Sequence, residues 1–251
     1  MFTTNPFLAL TEFMSPAIMQ GYVVLMILVV AFGTLFDLLD GQKARFFMRE
    51  RERSRAAAKR RLGGAEVAAI SLRTLVRDIA TFGEFSNPQR RYSHILMFYG
   101  FVLYLITTVT MIFGYPAEAE TPTVLPVLWY VGCLMTLLGG YWFFFCLRVN
   151  VTHDGHSLWR LERADIFIVL LLASVTSALL FGLVQSVFNG AATKLFASLY
   201  ILFTTLLFIS VPWSKFAHMF YKPVVAFQKR LDEANGSSDL PRPADARQER
   251  T

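Results

Sequence analysis

Charge and thiols are both scarce in this chain. Charged residues make up 17% of its 251 positions, whereas about a quarter is usual for a soluble domain. Its two cysteines, Cys133 and Cys146, lie about 20 Å apart along one predicted helix, which is too far for a disulfide. Two thiols are also too few for an iron–sulfur cluster, which usually takes four. Any such cluster must therefore belong to a partner protein.

What the chain has instead is long apolar runs. Hydrophobic residues make up 55% of it, and the mean hydropathy is +0.46. A bilayer core needs roughly 20 apolar residues in a helix, and helices satisfy their own backbone hydrogen bonds in lipid. Five stretches meet that length: Ala17–Leu39, Tyr92–Tyr115, Val124–Leu147, Ala164–Phe188 and Leu195–Ala217. The sequence predicts an all-α integral membrane protein with a bundle of five transmembrane helices.

The basic residues predict the orientation of these helices. Twenty-three of the 24 Lys and Arg residues lie in three segments that would share one side, and Lys194 is the exception. The positive-inside rule places those segments in the cytoplasm. We therefore expect the N-terminus outside and the C-terminus in the cytoplasm. The same rule explains the basic pI near 9.5, and no nucleic-acid motif accompanies the charge, so we predict no nucleic-acid binding.

The apolar and polar segments predict four parts of the chain. These are an outer N-terminus with the first span (1–39), a basic cytoplasmic segment (40–91), a four-helix transmembrane core (92–221) and a polar tail (222–251). Within the basic segment, Ala65–Phe82 shows an amphipathic pattern with Leu72, Leu75 and Val76 on its apolar face. Such a helix either lies in the membrane interface or docks a soluble partner, and a plain surface helix is the alternative.

Histidines are the candidate functional residues, since ionisable groups at a membrane are costly. His94 begins the second predicted span and His218 ends the fifth, so both would lie at the cytoplasmic side of the bundle. Two axial ligands of one haem require such matched depth on two helices. The alternative is that each histidine caps a helix or lies among lipid headgroups. His153 and His156, in a cytoplasmic loop, would contact a haem edge, a metal or a partner, or simply lie in a solvated loop.

Basic residues flank both candidate ligands. Arg90 and Arg91 precede His94, and Lys215 and Lys222 lie on either side of His218. The two propionates of a haem at the membrane boundary need such cationic partners. The alternative is that all four are ordinary anchors that follow the positive-inside rule.

Two of these segments resemble a known family. Arg90–Gly100 (RRYSHILMFYG), Pro212–His218 (PWSKFAH) with Lys222–Val224, and Arg163–Ile166 are similar to the respiratory nitrate reductase gamma-subunit superfamily of membrane cytochromes b. The resemblance covers about Arg77–Lys229. Its relatives include cytochrome b subunits of heterodisulfide-reductase-like modules and the membrane anchor of adenylylsulfate reductase. It implies a bacterial cytoplasmic membrane and haem b held by His94 and His218, the haem iron ligands.

The resemblance also implies a second, outer haem, but this sequence departs from the pattern there. The corresponding positions are Tyr104 and Tyr200, and tyrosine is a rare haem ligand. We therefore predict one haem b. Tyr200 lies five full turns before His218 on the same helix face, about 27 Å away. The two tyrosines would line a quinone pocket or, alternatively, hydrogen-bond each other.

The expected function is that of an electron-transfer anchor. The chain would pass electrons between the quinone pool and a cytoplasmic iron–sulfur or flavin oxidoreductase of sulfur metabolism, with adenylylsulfate reductase as the leading expectation. It would be a subunit and not a complete enzyme, and membrane lipids would be its other partners. The competing interpretation is a haem-free structural anchor or a small transporter, although the sequence lacks the internal repeats of many transporters.

Overall fold

The computed structural model describes residues 2–39, 41–83, 85, 87–116, 121–148, 161, 165–185, 190–211 and 218–238, with the backbone alone at 37–39, 41–47, 78–79 and 218–222. No strand occurs among these residues. The helices are α1 (Pro16–Leu39), α2 (Gly41–Ala57), α3 (Gly64–Arg73), α4 (Pro88–Gly114), α5 (Val124–Trp142), α6 (Ile166–Val184), α7 (Ala191–Ser210) and α8 (His218–Asn235). A 3₁₀ helix (Pro6–Glu12) precedes α1, and π-helical turns follow α3 (Thr74–Ala80) and α5 (Phe143–Leu147).

Five of the described helices are long and apolar enough to cross a membrane, which confirms the predicted number of spans. They are Pro16–Phe36, Pro88–Gly114, Val124–Leu147, Ile166–Val184 and Ala191–Ser210. The predicted fifth span, Leu195–Ala217, is placed too late along the chain, since the helix begins at Ala191 and ends at Ser210. Apolar composition alone does not indicate where a helix stops when polar and apolar residues alternate near its end.

The chain divides into two compact units. The membrane unit combines Met1–Asp37 with Phe82–His218, and the polar unit combines Leu38–Thr81 with Met219–Thr251. The predicted four-part division therefore differs from the observed grouping, which joins the first span to the helical core and the basic segment to the C-terminal tail.

At three glycines, helices α4 and α5 approach so closely that no side chain fits between their backbones. A Cβ atom built on Gly139 would lie 2.6 Å from the Met97 backbone nitrogen, and one on Gly132 would lie 2.7 Å from the Tyr104 nitrogen. Gly100 contributes a third such contact from α4. Small residues at helix interfaces allow this approach in membranes, where packing and not the hydrophobic effect drives association. The glycines therefore fix the register of α4 against α5.

Buried polar side chains connect the spans. The Ser93 hydroxyl donates to the Gly139 carbonyl at 2.9 Å, between α4 and α5. The Tyr130 hydroxyl donates to the Gly182 carbonyl at 2.8 Å, between α5 and α6. The hydroxyls of Ser174 and Thr204 lie 2.7 Å apart, between α6 and α7. Such bonds join helices in lipid, where a polar group has few other partners.

The N-terminal segment closes the end of the membrane unit at which α4 terminates. The Asn5 amide donates to the Tyr115 carbonyl and to the Thr121 hydroxyl, both at 3.3 Å. Phe7 is buried, and its ring meets that of Trp129 edge-on at 5.9 Å. This 3₁₀ segment is therefore part of the packed bundle and not a loose extension.

The polar unit is held together where α2 and α8 end. The Ser54 hydroxyl donates to Asp232 Oδ1 at 2.5 Å, and the Lys59 amide donates to the Asn235 carbonyl at 2.9 Å. Gly236 has a φ of 78°, the left-handed conformation that commonly ends a helix. Arg60 donates to the Ala234 carbonyl at 2.8 Å. These contacts satisfy carbonyl groups that the last turn of α8 would otherwise leave without partners.

Candidate functional site

His94 lies in the first turns of α4, in a cluster of phenylalanine rings. Asn87 caps this helix, and its side chain accepts from the Gln89 amide at 2.9 Å. The His94 ring centroid lies 4.7 Å from that of Phe85 and 5.0 Å from that of Phe143, with Phe82 at 6.4 Å. Phe85 precedes the helix and Phe143 belongs to the π-helical turn after α5. Three different parts of the membrane unit therefore surround one imidazole.

A hydrogen bond fixes the orientation of this ring. His94 Nδ1 lies 2.8 Å from the Arg90 carbonyl oxygen, one helical turn earlier. A carbonyl can only accept, so Nδ1 carries the proton and Nε2 holds the lone pair of the neutral ring. Metal-binding histidines almost always donate their other ring nitrogen in this way, which sets both the tautomer and the ring direction.

The arginines predicted as propionate partners have different surroundings. Arg90 Nη2 donates to the Leu147 carbonyl at 2.9 Å, which joins the start of α4 to the end of the π-helical turn after α5. Arg90 thus supports His94 with its backbone and α5 with its side chain. Arg91 is half-buried. Lys215 lies outside the described residues, and for Lys222 the structure describes the backbone alone. The propionate roles of all four stay predictions.

His218 is the first residue of α8 and does not end the fifth span. The sequence placed it in the helix that contains Tyr200, but α7 ends at Ser210 and residues 212–217 lie outside the described part of the chain. The His218 side chain is likewise not described. Its pairing with His94 stays a prediction. His153 and His156 lie outside the described residues.

Tyr104 and Tyr200 meet in the middle of the membrane unit. Both side chains are buried, and the Tyr104 hydroxyl donates to the Tyr200 hydroxyl at 2.6 Å. This is the arrangement in which the two phenols satisfy each other, which was the alternative to a quinone pocket. The bond links α4 directly to α7. The quinone pocket itself stays a prediction.

Further aromatic and polar groups surround the tyrosine pair. The Tyr104 ring lies 5.8 Å from Trp129, and Tyr200 stacks on Phe181 at 6.4 Å. The Thr108 hydroxyl accepts from the Trp129 ring nitrogen at 2.9 Å. The middle of the bundle is thus filled by side chains that bond one another.

One buried ion pair was not anticipated from the sequence. Arg148, after α5, donates to Asp165, at the start of α6, and the two side chains are 6% and 11% exposed. The Arg148 guanidinium carbon also lies 4.4 Å from the centre of the Phe144 ring. The pair closes the base of the loop that joins α5 to α6. The sequence did contain one indication of this pair, because opposite charges lie at the two ends of that loop.

The donor groups at His94 fit the proposed haem. A haem iron takes at most two ligands from the protein, whereas a metal ion bound by protein alone needs a full set of ligand side chains. In the described residues, no three His, Cys, Asp or Glu side chains come together as a protein-only metal site would need. In the tautomer with the proton on Nδ1, Nε2 carries the lone pair, and the rings of Phe85 and Phe143 lie beside the imidazole. These features suit an axial ligand to a flat, apolar porphyrin.

Comparison with protein-family models, with curated proteins and with solved structures finds no match to this chain. The class of protein rests on its own features. Five apolar helices, joined by buried hydrogen bonds and closely packed glycines, define an all-α, multi-pass membrane protein.

Proposed function

We propose that this chain is the membrane-anchor cytochrome b subunit of a bacterial oxidoreductase complex. It passes electrons between the quinone pool and a cytoplasmic iron–sulfur or flavin oxidoreductase of sulfur metabolism, of the adenylylsulfate reductase type. The N-terminus lies outside and the C-terminus in the cytoplasm, as the basic residues predict. The sulfur-metabolism assignment rests on the resemblance of Arg90–Gly100 and Pro212–His218 to that superfamily.

The observation that carries the proposal is the preset His94 imidazole. The Arg90 carbonyl oxygen lies 2.8 Å from Nδ1 and keeps the proton on that nitrogen. Phe85 and Phe143 restrict rotation of the ring. A ligand held in place before binding loses little conformational freedom when the metal arrives. In this proposal His94 and His218 would hold the haem iron. Bound haem b would supply one-electron transfer, and two protein ligands would leave no iron position for substrate.

The remaining residues have supporting roles. Arg90 holds the start of α4 against the end of α5 through the Leu147 carbonyl, so that His94 and Phe143 keep their spacing. The phenylalanine rings place apolar surface beside His94, and an apolar shell around a metal site tunes its reduction potential. Basic residues of α2, among them the exposed Arg51 and Arg55, favour encounter with an acidic soluble partner.

A visible spectrum of the purified protein tests this proposal. Dithionite should give sharp b-type bands, and the haem-to-protein ratio should be near one. The variants His94→Ala and His218→Ala should each abolish the bands. Tyr92→Phe is the matched control, because Tyr92 lies two residues from His94 but is exposed on the outer surface of the bundle.

Three other results of these spectra would each contradict a part of the proposal. A wild-type protein without bands, reconstituted with haemin, would favour the haem-free structural anchor. Bands that persist in both histidine variants would refute the ligand assignment. A ratio near two would show that a second haem binds, against the tyrosine-pair interpretation.

A further inference from the structure

Helix α3 and its π-helical turn direct their apolar side chains away from the protein. Leu72, Leu75 and Val76 are 63%, 56% and 52% exposed. Thr74 is only 2% exposed, and its hydroxyl donates to the Ile70 carbonyl at 2.9 Å. Leu72 and Thr74 are separated by roughly 200° around the helix. Val67, Ile70 and Thr74 form the less exposed face of the helix, and Leu72, Leu75 and Val76 point out on the opposite face.

An outward row of aliphatic side chains is unfavourable in a water-soluble domain. In water, a surface helix buries its apolar stripe. Three neighbouring aliphatic side chains exposed to water would lose the favourable free energy of burial. Apolar surroundings outside the protein remove that cost. A bilayer interface provides such surroundings, and a helix that lies in it directs its apolar side chains into the lipid.

Charge and chain length point to the membrane as the occupant. Arg73 and Arg77 are exposed beside the apolar side chains, where a guanidinium can reach phosphate headgroups while its stem stays in apolar surroundings. Only seven residues, 81–87, separate the π-helical turn from the second span at Pro88. That is at most about 25 Å of extended chain, so the helix cannot be carried far from the lipid surface.

We propose that α3 and its π-helical turn form an interfacial anchor that lies on the anionic leaflet of the membrane crossed by the five spans. Leu72, Leu75 and Val76 enter the boundary between headgroups and acyl chains, to a depth of about 5–10 Å. Arg73 and Arg77 bind the anionic headgroups. This role does not require haem and is separate from the proposed electron transfer.

Spin labels on the full chain test the proposal. Cys146 is exposed and is replaced by serine, whereas the buried Cys133 is retained. Single cysteines are then introduced at Leu72 and Leu75, with Arg53→Cys as the water control and Leu134→Cys as the mid-span lipid control. The protein is reconstituted in vesicles with and without phosphatidylglycerol. Power saturation compares collisions with oxygen, which concentrates in lipid, and with a polar nickel chelate, which stays in water.

We expect the labels at Leu72 and Leu75 to favour oxygen, as at Leu134, but at a depth of about 5–10 Å. Removing phosphatidylglycerol, or replacing Arg73 and Arg77 together by glutamine, should shift both labels toward the nickel reagent. Nickel access equal to that at Arg53 in anionic vesicles would overturn the proposal. Labels that become shielded only when a soluble cell fraction is added would also overturn it and would show a protein partner instead. Haem content has no bearing on any of these outcomes.

Discussion

Removing one hydroxyl at a time from the tyrosine pair should leave the other phenol without its bond. The Tyr104 hydroxyl donates to the Tyr200 hydroxyl at 2.6 Å, and both side chains are buried. Tyr200→Phe leaves the buried Tyr104 donor without this acceptor. Tyr104→Phe leaves the buried Tyr200 oxygen without this donor.

These partners set the expected magnitudes. An unsatisfied buried hydroxyl costs about 1–3 kcal/mol. We therefore expect Tyr200→Phe and Tyr104→Phe each to lower the free energy of unfolding by about 1–3 kcal/mol. The double variant should cost less than the sum of the two, because it leaves no phenol without a partner. Interaction energies in membrane proteins average about 0.6 kcal/mol and reach about 1.7 kcal/mol.

Unfolding by SDS in mixed micelles measures these differences. Tryptophan fluorescence is a suitable probe, since Trp129 lies 5.8 Å from Tyr104. Tyr92→Phe is the control and should be neutral, because Tyr92 is exposed on the surface of α4. If the two costs simply add, then the hydrogen bond between the phenols is wrong.

Two further stability predictions follow from close contacts in the membrane unit. Gly139→Ala should lower the free energy of unfolding by about 1–3 kcal/mol, because its new Cβ would collide with the α4 backbone. Gly114→Ala, where nothing lies within 4 Å of the new atom, is the control and should be neutral in the same SDS titration. Arg148→Met should cost about 3 kcal/mol, because it leaves the Asp165 carboxylate buried without its cation. Adding Asp165→Leu to that variant should recover part of the loss, and an equal or greater loss in the double variant would contradict the ion-pair interpretation.

The sequence was sufficient to predict those features of the fold that depend on the composition of a single segment. Span length and apolar content predicted five helices, and all five are present in the described structure. The spacing of Tyr104 and Tyr200 placed them on facing helices, and their mutual hydrogen bond was one of the two arrangements expected. Such features are local, or they follow from helical geometry and one resemblance.

Contacts between distant segments could not be predicted in the same way. Ser54 and Asp232 lie 178 positions apart, and nothing in either segment selects the other. The 15 glycines of the chain look alike in sequence, but only packing shows that Gly139 lies against the α4 backbone. The amphipathic pattern of α3 was visible in the sequence. The burial of Thr74, and hence the outward direction of the apolar face, required the fold.

The two ends of the membrane unit differ in a way that constrains any electron path. At the end where α4 terminates, Asn5 and Phe7 close the bundle with a hydrogen bond and an aromatic contact. At the other end lie His94 and the Arg148–Asp165 pair. The tyrosine pair fills the middle with side chains that hydrogen-bond each other. In the proposed function the single haem would lie near His94, and a quinone that binds beside it would exchange electrons at the same end of the bundle as the soluble partner. Electron transfer by that route would not carry charge across the full membrane thickness.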